Sequence, residues 1–164
     1  MKKYSEDEKW MFEAFRQAEK AYNTDEVPVG CVIVYNDLVI GKGYNLMEKL
    51  KDSTAHAEMI SITSAANYLG DWRLSDCSLY VTKEPCLMCF GAILNSRINN
   101  LCYGVSDGKN GFKIKVVHKN YFLDHLKKIK SGILEKQCKN ILTDFFRNKR
   151  KKTIKKSIKN SLNL

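Results

Sequence analysis

The chain has 164 residues, of which 44% are hydrophobic, so it can build one domain with a real core but not two. Its net charge is +10, no apolar run is long enough to span a membrane, and the charged N-terminus lacks the apolar core of a secretory signal. We therefore expect a cytoplasmic protein without membrane contact, whose six cysteines stay as thiols or bind metal.

The N-terminal part of the chain predicts a helix followed by a β-hairpin. Ser5 and Glu8 fit a capping box, and apolar residues then recur at helical spacing. The β-branched run at residues 29–35 and the apolar run at 38–41 flank an Asn-Asp turn. They predict two antiparallel strands.

Helices and strands alternate in the middle of the chain. A helix is predicted from residue 53 or 54 to Gly70, followed by a strand at 79–82. A further helix is predicted with Pro85 in its first turn and an end near Ser96.

The last part predicts a strand, a weaker strand and a long helix. The strand includes residues 101–103, the weaker one lies at 114–117 or 126–129, and the helix includes residues 134–146. The alternation of elements predicts an α/β fold, a three-layer α-β-α domain with a mixed sheet of about five strands.

Positive charge is concentrated at the C-terminus. Residues 147–164 contain eight basic and no acidic residues, which leaves 20 of the 28 basic residues to balance 18 acidic ones elsewhere. We predict a domain at 1–150 and a basic arm at 151–164 that contacts a polyanion. A solubility tail and a membrane-surface helix are the alternatives. The apolar side of such a helix would contain Ile154, Ile158 and Leu162.

Two short motifs predict a zinc site. His56 and Glu58 form one, and Cys86 and Cys89, after Pro85, form the other. One imidazole and two thiolates are three ligands, the number that a catalytic zinc site uses before water takes the fourth position. Residues two apart point about 200° apart inside a helix, so His56 and Glu58 share a site only where a helix begins. Both motifs therefore predict helix N-termini that meet at one metal ion.

The two motifs have two other interpretations. A Cys-x-x-Cys pair is also typical of redox sites, but a redox site does not need His56 and Glu58. A structural zinc site would need a fourth Cys or His at ligand spacing, and the sequence offers none.

The two motifs together form the signature of zinc deaminases. Beyond the signature, the chain closely resembles the bacterial tRNA-specific adenosine deaminases over nearly its whole length. The similar blocks are residues 26–30, 41–45, 54–58, 84–89 and 144–147. The blocks at 54–58 and 84–89 would also suit guanine deaminases. The block at 144–147, with the basic residues after it, favours the tRNA-acting group.

The resemblance implies a cytidine-deaminase-like fold and the hydrolytic conversion of adenosine to inosine at the wobble position of a tRNA anticodon. One Zn²⁺ per chain would be held by His56, Cys86 and Cys89, with Glu58 as the catalytic group that transfers protons. The resemblance also implies that the protein is a homodimer that binds the tRNA anticodon loop.

The resemblance further implies substrate contacts. Asn45 would hydrogen-bond the target base and Val27 would make an apolar contact with it. Contacts with the RNA around the base are implied for Asp107, Lys109, Phe145, Phe146, Arg147 and Arg150. Asn45 is also typical of an ordinary turn, and we expect one of the two phenylalanines in the core of the last helix.

The chain departs from the family at two places beside the expected pocket. Leu46 and Met47 stand where a proline is usual, and residues 111–115 replace a run of small residues. Two other functions stay open. One is a free-base or nucleotide deaminase of the guanine or cytosine type, which would not need a basic arm. The other is a zinc-stabilised RNA-binding protein without turnover, against which the presence of Glu58 argues.

Overall fold

A five-stranded mixed sheet lies between two layers of helices. A computed structural model describes residues 4–115 and 125–162. The elements, in chain order, are α1 (Glu6–Asn23), β1 (Gly30–Tyr35), β2 (Leu38–Tyr44), α2 (Met47–Leu50), α3 (Ala57–Leu69), β3 (Ser78–Lys83), α4 (Leu87–Asn95), β4 (Asn100–Val105), α5 (Phe112–Lys115), β5 (Lys128–Lys130) and α6 (Glu135–Leu162). The strand order is β2-β1-β3-β4-β5. β1 is antiparallel to β2 and β3, whereas β3, β4 and β5 are parallel. The predicted fold class is confirmed.

Alternate residues of the central strands face opposite layers, as the period of two in a strand requires. Cys31 and Ile33 of β1 pack with α3 and α4 in one apolar cluster. Val32 and Val34 pack with α1 and the start of α6 in a second cluster. The four cysteines outside the Cys-x-x-Cys motif are buried, as expected for small core side chains. They are Cys31, Cys77, Cys102 and Cys138.

The capping box and the hairpin form as predicted. Ser5 Oγ accepts a hydrogen bond from the Glu8 backbone at 3.2 Å, and Glu8 Oε2 accepts one from the Ser5 backbone at 2.8 Å. β2 then passes close to α3 because it contains Gly43. A Cβ at Gly43 would lie 2.5 Å from the carbonyl oxygen of Ala57, so only glycine allows this approach. The contact places the first turn of α3 against the sheet.

Several predicted boundaries are wrong. α3 begins at Ala57, because Asp52 Oδ1 accepts hydrogen bonds from the backbone and hydroxyl of Thr54 and holds these residues in a turn. Pro85 lies before α4 and outside it, since Cys86 is the N-cap. The short helix α2 was not predicted.

The weaker predicted strand had two candidate positions. The segment at 126–129 overlaps β5, although β5 is displaced by two residues at its start. Of the alternative at 114–117, the first two residues belong to helix α5, and the last two lie outside the described residues. In the part of the chain that the structure describes, no helix is both long and apolar enough to cross a membrane.

Candidate metal centre and active site

His56, Cys86 and Cys89 come together although 30 residues separate the first two. The Nδ1 atom of His56 lies 3.6 Å from Cys86 Sγ and 3.4 Å from Cys89 Sγ. All three possible ligand atoms lie within 4.8 Å of one another. Zinc binds sulfur at about 2.3 Å and imidazole nitrogen at about 2.0 Å, so a tetrahedral site separates the two by about 3.5 Å. The cluster therefore fits a zinc ion as to both ligand type and spacing.

Two helix N-termini present these side chains, as the spacing predicts. His56 is the N-cap of α3 and Cys86 is the N-cap of α4, both with extended backbone dihedrals. Cys89 follows Cys86 by three residues and therefore lies on the same side of the first turn. The partial positive charge of a helix N-terminus favours thiolate over thiol.

Hydrogen bonds within the cluster divide the protons unequally between the two thiols. The hydrogen bond from Cys89, followed in effect by that from His56, lowers the pKa of Cys86 to about 3. The same bond to Cys86, together with burial, raises the pKa of Cys89. The hydrogen bond to Cys86 is also the main reason that the pKa of His56 is raised. A metal ion would displace these shared protons, because it binds the deprotonated side chains.

Glu58 lies in the first turn of α3 and is only 4% exposed. Burial raises the pKa of its carboxyl group above the ordinary value. A buried carboxyl beside the candidate metal ligands is a suitable type of group for general acid and base catalysis.

A cavity of about 200 Å³ opens onto the cluster. It is lined by Val27, Val29, Asn45, Met47, His56, Ala57, Glu58, Lys83, Glu84 and Cys86. Pockets for drug-sized ligands measure roughly 300–1,000 Å³, so this one suits a single small ring system. Val27 and Asn45, the residues for which the resemblance implies contact with the base, thus line the same cavity as Glu58.

A buried carboxylate holds Asn45 in place. Glu26 is 1% exposed, and its Oε2 atom accepts a hydrogen bond from Asn45 Nδ2 at 3.1 Å. The same carboxylate accepts backbone hydrogen bonds from Glu48 at 3.2 Å and Lys49 at 2.7 Å, in the short helix α2. Because a carboxylate only accepts, it fixes which end of the Asn45 amide is the nitrogen. Asn45 is therefore more than an ordinary turn residue.

A second buried carboxylate anchors the loop on the other side of the motif. Glu84 accepts backbone hydrogen bonds from Asp107 at 2.9 Å and from Lys113 at 3.1 Å. Gly111 fits closely here, because a Cβ would lie 2.5 Å from the Glu84 carboxylate. Asp107 itself forms an ion pair with Lys83. The Asp107 side chain therefore contacts Lys83 and the backbone of residues 109 and 110. The side chain of Lys109 is exposed.

Comparison with known proteins gives the family. Residues 5–150 match the family described as MafB19-like deaminase. The tRNA-specific adenosine deaminase of Bacillus subtilis (strain 168) is 42% identical over 151 residues, which cover 90% of this chain and 93% of that protein. The chain belongs to the tRNA-specific adenosine deaminase family.

Solved structures agree with this membership. A structure from a study of A-to-I editing by tRNA:A34 deaminases at the wobble position of transfer RNA superposes with a TM-score of 0.77 at 38% identity. The match covers 82% of this chain and 99% of that one. Guanine deaminase from Bacillus subtilis matches with a TM-score of 0.58 at 37% identity, over 60% of this chain and 64% of that one.

The two phenylalanines expected at the RNA differ in exposure. Phe145 is 4% exposed and meets the ring of Tyr22 edge-on, with ring centroids 5.9 Å apart. Phe146 is 44% exposed. This bears out the expectation that one of the pair belongs to the core. Arg147 and Arg150 are exposed, and Arg147 forms an ion pair with Asp144.

Both departures from the family's sequence have a structural explanation. The backbone N–H of Leu46 donates to the Ala55 carbonyl oxygen at 3.0 Å, a bond that proline could not make. Phe112, in the second departure, stacks on Phe90 with ring centroids 4.0 Å apart. Its large side chain therefore fills core space beside α4.

The sequence did not identify three charged residues of the site, Glu26, Lys83 and Glu84. The two glutamates lie inside blocks that the resemblance includes, but their partners are distant in the chain. Sequence spacing alone does not reveal which backbone groups such a carboxylate accepts.

Proposed function

We propose that the chain is a zinc-dependent deaminase that converts adenosine to inosine at the wobble position of a tRNA anticodon. The observation that carries the proposal is the cluster of His56, Cys86 and Cys89 with the buried Glu58 beside it, at the base of a cavity. The family membership points to adenosine in tRNA as the substrate.

The chemistry needs a nucleophile and a group that moves protons. Zinc with three protein ligands lowers the pKa of a bound water to about 7 and so supplies the nucleophile. Glu58 would take one proton from the attacking water and deliver it to N1 of adenine as the water oxygen adds to C6. It would then move the second proton of that oxygen to the amino group, which leaves as ammonia when the C6–N bond breaks. One water is consumed, and inosine and ammonia are formed.

The cavity would admit the base and exclude the rest of the nucleotide. Asn45, oriented by Glu26, can hydrogen-bond an edge of the base, while Val27 and Val29 contact its apolar face. The target base must leave its stack to enter, and this favours nucleotides in an RNA loop, where bases are already unpaired.

Residues of α6 supply a surface for the surrounding RNA. The exposed side chains of Phe146, Arg147 and Arg150 combine an aromatic ring with positive charge, the pairing that binds unstacked bases and phosphates. Residues 151–155 add three lysines and are exposed. We therefore propose a deaminase domain at 1–150 and a basic arm at 151–164. The arm is part of α6 as far as Leu162. Lys109 would contribute from the neighbouring loop.

A homodimer is also proposed. Three large apolar side chains near the metal centre are exposed: Leu87 by 45%, Met88 by 37% and Ile114 by 58%. Apolar side chains grouped in this way are typical of protein interfaces, and a second copy is the usual partner.

The expected cytoplasmic location agrees with a tRNA substrate and with six cysteines that form no disulfide.

The deciding experiment uses unmodified tRNA transcripts with A or G at the wobble position. Purified protein with zinc should form inosine from the A transcript alone, and Glu58→Gln should form it at least about a hundred times more slowly. Guanine turnover with unchanged tRNA would instead favour a free-base deaminase.

Light scattering on the same samples tests the proposed dimer. Leu87→Glu is expected to shift the measured mass toward that of the monomer.

A further inference from the structure

Lys83 brings a positive charge to the rim of the active-site cavity. It is the last residue of β3, three positions before Cys86, and its side chain is 32% exposed. The cavity is otherwise lined by apolar, polar and acidic side chains and by His56. A base that enters this cavity would leave its ribose and flanking phosphates at the opening, and a lysine that both lines the cavity and is partly exposed to solvent can meet them there.

Asp107 holds Lys83 in place and is itself fully engaged. Its Oδ2 atom pairs with Lys83, and its Oδ1 atom accepts backbone hydrogen bonds from Lys109 at 2.9 Å and Asn110 at 3.1 Å. Partial burial alone would raise the pKa of Asp107, but the hydrogen bonds from Lys83 and the backbone lower it to about 2. Asp107 therefore remains an anion that is committed to protein groups.

The ammonium of Lys83 retains donors for a ligand. A lysine side chain carries three N–H donors. Among residues 4–115 and 125–162, the hydrogen bond recorded for it is the one to Asp107. Because Glu84 anchors the backbone of Asp107, the ion pair is held at a defined place before substrate arrives. Such preorganisation lowers the entropy lost on binding.

We propose that Lys83 binds a phosphate group adjacent to the target nucleotide, and that Asp107 positions Lys83 for this contact. The proposal rests on the proposed function, since it assumes an RNA substrate. It assigns the direct RNA contact at this rim to Lys83 and makes Asp107 a positioning residue.

The test measures inosine formation from an RNA hairpin in which single phosphates are neutralised. The linkage on the 5′ or the 3′ side of the target is replaced by an uncharged methylphosphonate. Lys83→Met is expected to lower kcat/KM about tenfold on the unmodified hairpin, through KM. One methylphosphonate should cause a similar loss in the wild type and no further loss in Lys83→Met.

Matched variants separate the phosphate contact from a structural role. Lys83→Arg should retain most of the activity and the sensitivity to the neutral linkage. Lys127→Met removes an equal charge from an exposed site at the start of the β5 segment and should behave as the wild type. The double variant Lys83→Met/Asp107→Asn should have the same kcat/KM as Lys83→Met. An equal value would show that the loss in Lys83→Met is not caused by the Asp107 carboxylate, which that variant leaves without its lysine partner.

Two results would overturn the proposal. One is wild-type activity in Lys83→Met on the unmodified hairpin. The other is a methylphosphonate effect in Lys83→Met as large as in the wild type, which would mean that Lys83 does not act on these phosphates. If the wild type forms no inosine from any hairpin, the proposed function itself fails, so the two failures are distinguishable.

Discussion

The metal centre and the basic end of α6 are built in opposite ways. In the metal centre, side chains from two helix starts lie 3.4 to 3.6 Å apart and are partly or fully buried. In the C-terminal half of α6, Lys149 and Lys152 lie 3.2 and 3.5 Å from Asp25, and their side chains are 43% and 72% exposed. Chemistry depends on a few atoms at fixed distances, whereas binding to a polyanion sums many weak contacts. Single substitutions should therefore abolish one activity and only reduce the other.

The largest effect is expected at Glu58. Glu58→Gln keeps the size of the side chain but cannot accept the proton, so kcat should fall by a factor of about 10² to 10⁴. Inosine formation measures the loss, and zinc analysis by mass spectrometry serves as the control, because the ligands are unchanged. Normal turnover in this variant would remove Glu58 from the mechanism.

Cys86→Ser should remove metal and stability together. The serine hydroxyl is a poorer zinc ligand than a thiolate, and binding free energy at such a site adds to folding free energy. The melting temperature should fall, and a chelator should lower it in the wild type but not in the variant. A variant that keeps one zinc per chain would contradict the proposed ligand set.

The basic end of α6 should respond gradually. Replacing Lys149, Lys151, Lys152 and Lys155 by glutamine keeps the helix propensity and removes the charge. The affinity for tRNA should drop, and the slope of its logarithm against log salt should decrease by about 0.7 for each lost phosphate contact. Single substitutions serve as controls and should each have a small effect. If the salt slope is unchanged in the variant with all four substitutions, the arm does not contact tRNA and serves only as a solubility tail.

For RNA binding, the smallest effect is expected from Phe146, and its neighbour Phe145 should affect stability instead. Phe146→Ala should weaken RNA binding by about 1–3 kcal/mol, the usual contribution of stacking on a base, without changing stability. Phe145→Ala should instead destabilise the protein by about 3–5 kcal/mol, because it empties a buried site against Tyr22. Chemical denaturation and tRNA binding should be measured on both variants. A loss of stability in Phe146→Ala with unchanged stability in Phe145→Ala would contradict this assignment.

The cluster of candidate metal ligands could be predicted from the sequence because its information is local. His56 and Glu58 are two residues apart, a spacing that brings both to one site only where a helix begins, and Cys86 and Cys89 are three apart, so they share a face of one turn. Glu26 was missed because its partners lie 19 to 23 positions away and two of them are backbone N–H groups. No side-chain pattern marks such a contact.

Element boundaries failed for a related reason. The helix signal at residue 53 was overridden by hydrogen bonds of Asp52 with Thr54, which are local but compete with the helix. The helix at Phe112 reflects tertiary packing, because its ring needs Phe90 from α4 as a partner. Periodicity favoured a strand there, since a single turn of helix is too short to show a period.

The hydrogen bond between Glu26 and Asn45 has a consequence for redesign of the enzyme. The carboxylate also accepts hydrogen bonds from the backbone of Glu48 and Lys49, so the group that orients the Asn45 amide, which we propose binds the base, also stabilises α2. An exchange of Asn45 for a side chain without a donor leaves a buried negative charge with one partner fewer. Variants with a new base preference should therefore arise from paired changes at Glu26 and Asn45, and libraries that vary only Asn45 would rarely contain them.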